Sequence, residues 1–154
     1  MRTTLTVSCF ILLVTAIAAG DAVAQAKSSI SPGTTPSTSI DTKAALVATA
    51  QWLALVDSGK YADSWREASG FFRSKISSPL WEKSVASARI PFGALISRTE
   101  KSNTTATTLP GAPDGQYVII QYTTSFANKK TATETVTPML DKGGKWRVSG
   151  YFVK

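Results

Sequence analysis

No histidine occurs anywhere in the chain, and its one cysteine, Cys9, lies in an apolar run near the start. The first absence removes the side chain most often used as a general base, and the two together remove Ser-His-Asp chemistry, a thiol nucleophile beyond the leading segment and the soft ligands of zinc. A chain without a cysteine after residue 9 forms no disulfide there even in an oxidising compartment, so its stability must come from a packed core. The serines and lysines form no Ser-x-x-Lys or Gly-x-Ser-x-Gly grouping. No cofactor motif is present, and we assign no catalytic residue and no metal ligand from the sequence. Acid or base work would fall to Asp57, Asp63, Glu67, Glu82 or Glu134.

Long apolar runs are also missing, apart from Leu5 to Ala19. That run of about 15 residues is short of the roughly 20 needed for a helix to span a bilayer. It follows Met1-Arg2 and leads to Ala22-Val23-Ala24, the small-x-small pattern cut by a signal peptidase. We therefore expect residues 1–24 to be a cleavable signal peptide, the mature chain to begin at Gln25, and the protein to be periplasmic or secreted with no membrane span. Residues 25–40, QAKSSISPGTTPSTSI, have too little apolar bulk to offset the entropy of ordering and read as a flexible leader. From residue 41 the composition is that of one globular domain.

Within residues 41–154 the hydrophobic period changes once. Ala45, Ala48, Trp52, Leu55 and Val56 recur at spacings of three and four, which predicts a helix ended by Gly59. Tyr61, Trp65 and Ala68 predict a second, closed by Gly70, and Trp81, Val85 and Ala88 a third, with Ser78 as N-cap, Pro79 in its first turn and Pro91 after it. After Gly93 the period is two. Leu95 to Leu109 reads as a long, bent strand. Val118, Ile120, Tyr122 and Phe126 form one apolar face, Trp146, Val148 and Phe152 another, and Ala132, Glu134, Val136 and Leu140 the inner side of the strand between them. The fold class is α+β: three N-terminal helices on a curved four-stranded antiparallel sheet.

Two features carry functional expectations. Pro113-Asp114-Gly115 has the chemistry of a turn, with the glycine taking a positive φ, and lacks the Lys-Ser or Lys-Thr of a phosphate loop. Glu134 shares its face with apolar residues, so it needs a partner or a shifted pKa. It is either a pocket acid or the partner of an arginine such as Arg89 or Arg98. The candidate ligand pocket is accordingly Glu134, Arg89 and Arg98 with Trp65 and Tyr122, although the four tryptophans also sit at core spacings. Tyr151 falls on the outer parity with Arg147 and Ser149, which marks a sheet face for pairing with a second copy.

The net charge of +7 comes from scattered basic residues with Lys129-Lys130 as the one adjacent pair, and aromatics are not interleaved with them, which argues against nucleic acid.

Trp52-Leu-Ala-Leu-Val-Asp57, Gly59-x-Tyr61, Ser64-Trp65, Leu109-Pro-Gly-Ala-Pro-Asp-Gly-x-Tyr117, Phe126-Ala-Asn-Lys-Lys130, Glu134-Thr-Val-Thr137 and Trp146-Arg-Val-x-Gly-Tyr-Phe152 together resemble a bacterial exported family, the Domain of Unknown Function 4019 family. The resemblance covers residues 43–154 and implies an envelope protein without assigned catalytic residues. The element order is also similar to the cystatin-like, nuclear-transport-factor-2-like cone, a fold that informs architecture and not function. We expect a non-enzymatic module that binds an envelope protein or a small ligand, with a small lyase or isomerase using a pocket carboxylate as the alternative.

Overall fold

Helix α1 (Thr42–Asp57) begins where Asp41 Oδ1 accepts a hydrogen bond from Ala44 N at 2.9 Å, a side-chain N-cap that satisfies one of the free amides of the first turn. The computed structural model describes residues 40–154. The expected signal peptide and all but the last residue of the expected leader lie outside the described residues. Ile40, that last residue, packs against the core.

The buried face of α1 carries Ala45, Thr49, Trp52, Leu53 and Val56; of the residues expected on it, Ala48 and Leu55 are only half-buried, and Thr49 and Leu53 take their place. Each such Leu or Val contributes about 1.5–3 kcal/mol when removed from water. Three further helices come next: α2 (Tyr61–Glu67), α3 (Gly70–Lys75) and α4 (Ser78–Arg89), and a 3₁₀ turn (Ile90–Phe92) carries the chain past Pro91. Three helices were expected and the described residues hold four, because Gly70 opens a helix instead of closing one. Ser69 Oγ accepts from Phe72 N at 3.1 Å and starts α3 immediately after α2. The cap of α4 is Ser77, not Ser78, whose hydroxyl instead donates to Glu82 at 2.7 Å.

Strands β1 (Leu95–Ala106), β2 (Tyr117–Phe126), β3 (Lys129–Asp141) and β4 (Lys145–Val153) form one antiparallel sheet in the order β1-β2-β3-β4. α1 lies across β3 and β4, and α3 against β4. Trp52, Trp81 and Tyr151 meet at ring-centroid distances of 5.5–6.2 Å in the centre of the core. β1 is three residues shorter than expected, ending at Ala106 in place of Leu109, and is bent by register shifts at Ile96 and Lys101.

The connection from β1 to β2 turns earlier than the sequence suggests. Ala112 N donates to Leu109 O at 3.1 Å across Pro110-Gly111, and Gly111 has φ 75°. Proline followed by a left-handed glycine is the pattern of a type II turn. Gly115, expected to hold the positive φ, does not; it lies against the Tyr117 ring, whose hydroxyl donates to Pro113 O at 2.5 Å. The loop thus covers Tyr117, which is fully buried.

Strand β4 also departs from its expected register. Thr137 pairs with Gly150 and Pro138 with Val148, so Ser149 is an extra residue bulged out of the ladder. Pro138 brings no N–H to the central strand β3, and a bulge is where a sheet tolerates that. Ser149 Oγ donates to Thr137 O at 2.7 Å across the gap. The bulge inverts the parity of the residues after it: Tyr151 points into the core, while Phe152 stands outward, 39% exposed. Tyr151 therefore does not mark an outer pairing face.

Candidate functional site

Asp57 and Arg89 are the last residues of α1 and α4, Arg98 lies in β1 and Glu134 in β3; the fold brings these four charges together under the helices. Arg89 Nη2 donates to Asp57 Oδ1 at 2.6 Å and Nη1 to Glu134 Oε1 at 3.2 Å. Arg98 donates from Nε to Glu134 Oε2 at 2.6 Å, from Nη1 to Asp57 Oδ2 at 2.7 Å, and from Nη2 to Asp57 Oδ1 and Glu134 Oε1 at 3.0 and 3.1 Å. Hydroxyls complete the shell: Tyr151 donates to Glu134 Oε1 at 2.6 Å and Thr124 to Oε2 at 2.7 Å. Glu134 is 0% exposed, Arg89 5%, Arg98 12% and Asp57 16%.

Two guanidiniums against two carboxylates balance the charge, and every oxygen of Glu134 is engaged. Leaving such groups unpaired away from water costs several kcal/mol each, so their mutual bonding is a condition of folding this way. Burial pushes the Glu134 pKa up, but the bonds from Arg98 and Tyr151, the Arg98 charge and the bond from Thr124 outweigh it and hold the carboxyl below its ordinary value. For Arg98 burial acts to lower the pKa, and the bonds and charges of Asp57 and Glu134 raise it instead. Burial raises Tyr151, reinforced by the charge of Glu134 and the bond to it. Arg89 Cζ also sits 4.2 Å from the centroid of the Phe126 ring, a cation–π contact that covers one face of the guanidinium.

Of the five residues expected to line a pocket, the structure brings three together: Glu134, Arg89 and Arg98. Trp65 is half-buried among the helices, where its Nε1 donates to Ile76 O at 2.8 Å. Tyr122 is buried in the core on β2. Sequence reasoning placed Asp57 among acid candidates without linking it to Glu134, and it missed Thr124 and Tyr151. Thr124 was legible, since it shares the parity of Val118, Ile120 and Tyr122. The other acidic candidates lie apart from this cluster: Asp63 pairs with Arg66, Glu67 with Arg147 at 3.5 Å, and Glu82 takes the Ser78 hydroxyl.

Of two surface depressions on the described residues, only one reaches the cluster. One, of about 290 Å³, lies between α1 and β4 and is lined by Leu55, Trp146 and Val148 with Gln51, Glu67 and Arg147 among its polar residues. The other, of about 270 Å³, is lined by Val56, Asp57, Tyr61, Arg89, Ile90 and Gly93 among others and reaches the charged cluster. Among the described residues there is no group of three or more His, Cys, Asp or Glu placed to hold a metal ion, and no helix long and apolar enough to cross a membrane.

An α+β domain with a neutral, interlocked ionic centre is the class of protein that these observations define. The family model described as "Protein of unknown function (DUF4019)" matches residues 48–151, and the chain belongs to that family. No curated protein and no solved structure matches the chain.

Proposed function

We propose that this protein is an exported bacterial domain that works by binding, not by catalysis, with its helices and curved sheet arranged as a nuclear-transport-factor-2-like cone. The observation that carries this reading is the state of Glu134. It is a fully buried carboxylate on the inner face of the sheet, and it accepts from Arg89, Arg98, Thr124 and Tyr151. A general base needs a lone pair directed at substrate and a pKa near the working pH. Glu134 has neither, because its pKa lies below the ordinary carboxylate value and its oxygens are occupied. The signal-peptidase pattern Ala22-Val23-Ala24 supports export.

The test is Glu134→Gln. Replacing the carboxylate leaves two buried guanidiniums facing one carboxylate, and breaking a buried pair in this manner costs about 3 kcal/mol. Urea denaturation of the protein and the variant at neutral pH should show that loss. A gain in stability would mean that Glu134 is held under strain for chemistry, as functional carboxylates are, and would bring the lyase or isomerase reading forward.

A further inference from the structure

Three apolar residues that the sequence marks as core are left half-covered, and all three line one depression. Ala48 and Leu55 belong to the hydrophobic period of α1 and Trp146 to the apolar face of β4, yet each is only half-buried. They line the 290 Å³ depression between α1 and β4, which is an edge strand of the sheet. Apolar surface that follows the core period but stays open in a concave place is suited to the hydrocarbon part of a ligand.

The same depression carries one charge of each sign. Arg147 Nη1 donates to Glu67 O at 3.2 Å and reaches Glu67 Oε2 at 3.5 Å, the long limit of a hydrogen bond. The Arg147 and Glu67 side chains are 27% and 66% exposed, so their attraction is screened and readily exchanged for other partners. Arg147 Nε and Nη2 have no acceptor among the described residues, and neither is enclosed, so a planar carboxylate can reach them from solvent. Gln51 adds an exposed amide from α1.

These charges select the ligand. An anion would meet Glu67, a cation would meet Arg147, and a neutral compound would leave both without a new partner. A zwitterion satisfies the two together, its carboxylate on the open side of the guanidinium and its ammonium on the Glu67 carboxylate. The volume of about 290 Å³ lies just below the roughly 300–1,000 Å³ of pockets for drug-sized ligands, which sets the size at a few carbons.

We propose that this depression binds a free α-amino acid with an apolar side chain, its carboxylate on Arg147, its ammonium on Glu67 and its side chain against Ala48, Leu55 and Trp146. The proposal rests on the binding role put forward for the domain and gives that role a ligand class.

Titration of the ¹⁵N-labelled protein with leucine, valine and phenylalanine tests it by NMR. At least one of them should shift the Trp146 indole N–H and the Gln51 side-chain amide saturably. Its N-acetyl and amide derivatives, which lack one charge each, should bind about ten-fold more weakly or worse, the factor that goes with one hydrogen bond to a charged group. Arg147→Gln should weaken the free amino acid by a similar factor and leave the amide derivative unaffected, while Glu67→Gln should weaken it without weakening the N-acetyl derivative. Glu67 is 66% exposed, so its variant keeps the test open if Arg147→Gln does not fold. No saturable shift from any of the three amino acids overturns the proposal. An equal response to either derivative overturns it too, since the site then takes the end of a peptide, and so does binding that survives both variants. Flat titrations with Glu134→Gln still destabilising remove this site and leave the non-catalytic reading in place. Conversion of a bound amino acid, seen as new product signals, supports the site and removes that reading instead.

Discussion

Tyr151 and Phe152 are adjacent aromatic residues with opposite surroundings. The Tyr151 ring packs on Trp52 and Trp81, and its hydroxyl donates to a carboxylate that is 0% exposed. Hydrogen bonds to charged groups contribute about 1.5–3 kcal/mol, more than neutral ones, because the interior offers no water to replace them. Tyr151→Phe keeps the ring and deletes that bond, so it should lower unfolding free energy by about 2 kcal/mol. Phe152→Ser should change it by no more than about 0.5 kcal/mol, since the ring stands outside the core. Urea midpoints for the two variants check both. A larger loss for Phe152→Ser than for Tyr151→Phe would mean that the strand runs without the bulge at Ser149.

That bulge shows how legible each element was. The period of α1 and the alternation of β2 each bury one continuous face, so simple counting located them. The inward position of Glu134 came directly from its parity with Ala132 and Val136. β4 defeated the same count, because one extra residue inverts every later position. The signal was on the neighbouring strand: Pro138 inside β3 requires an interruption of the ladder, and it lies opposite Val148, next to the bulged Ser149. Helix α3 was missed for another reason. It has six residues, too few for a period to repeat, and its stability is borrowed from tertiary contacts.

One of those contacts comes from the turn between β3 and β4. Asp141 Oδ2 accepts from Gly70 N, the first amide of α3, at 2.8 Å, while Oδ1 accepts from Lys142 N at 2.8 Å. Burial would raise the pKa of this carboxyl, yet the two backbone bonds and the charges of Arg147 and Arg73 lower it below its ordinary value. Asp141→Ala should therefore loosen α3 more than the sheet. The amides of Arg73 and Ile76, which bond to Ser69 O and Phe72 O, should exchange with deuterium roughly five-fold faster, the equivalent of about 1 kcal/mol, while those of β2 stay protected. Equal acceleration in β2 would show that α3 opens only with the whole domain.

At the scale of the molecule, the ionic centre joins the ends of α1 and α4 to β1 and β3, so its protonation is coupled to folding as a whole. Glu134 has a folded pKa below its ordinary value of 4.5, and Asp141 one below 3.8. A carboxyl depressed in the folded state contributes stability that is fully present above the unfolded value and is lost as pH falls through the folded one. Tyr151 behaves in the opposite sense: its raised pKa gives a contribution present below the ordinary 10.0 and lost as pH rises through the folded value. Stability governed by these groups should be level between the two limits, fall below pH 4.5 and fall again above pH 10.0. Unfolding free energies from urea titrations across that range give the curve, and two variants assign its ends. Glu134→Gln removes the group that titrates in acid, so its curve should decline less steeply below pH 4.5 than that of the parent. Tyr151→Phe should flatten the alkaline limb. Parallel acid limbs in the parent and Glu134→Gln would assign the acid loss to other carboxyls, Asp141 first, and would separate the buried cluster from the pH response of the fold.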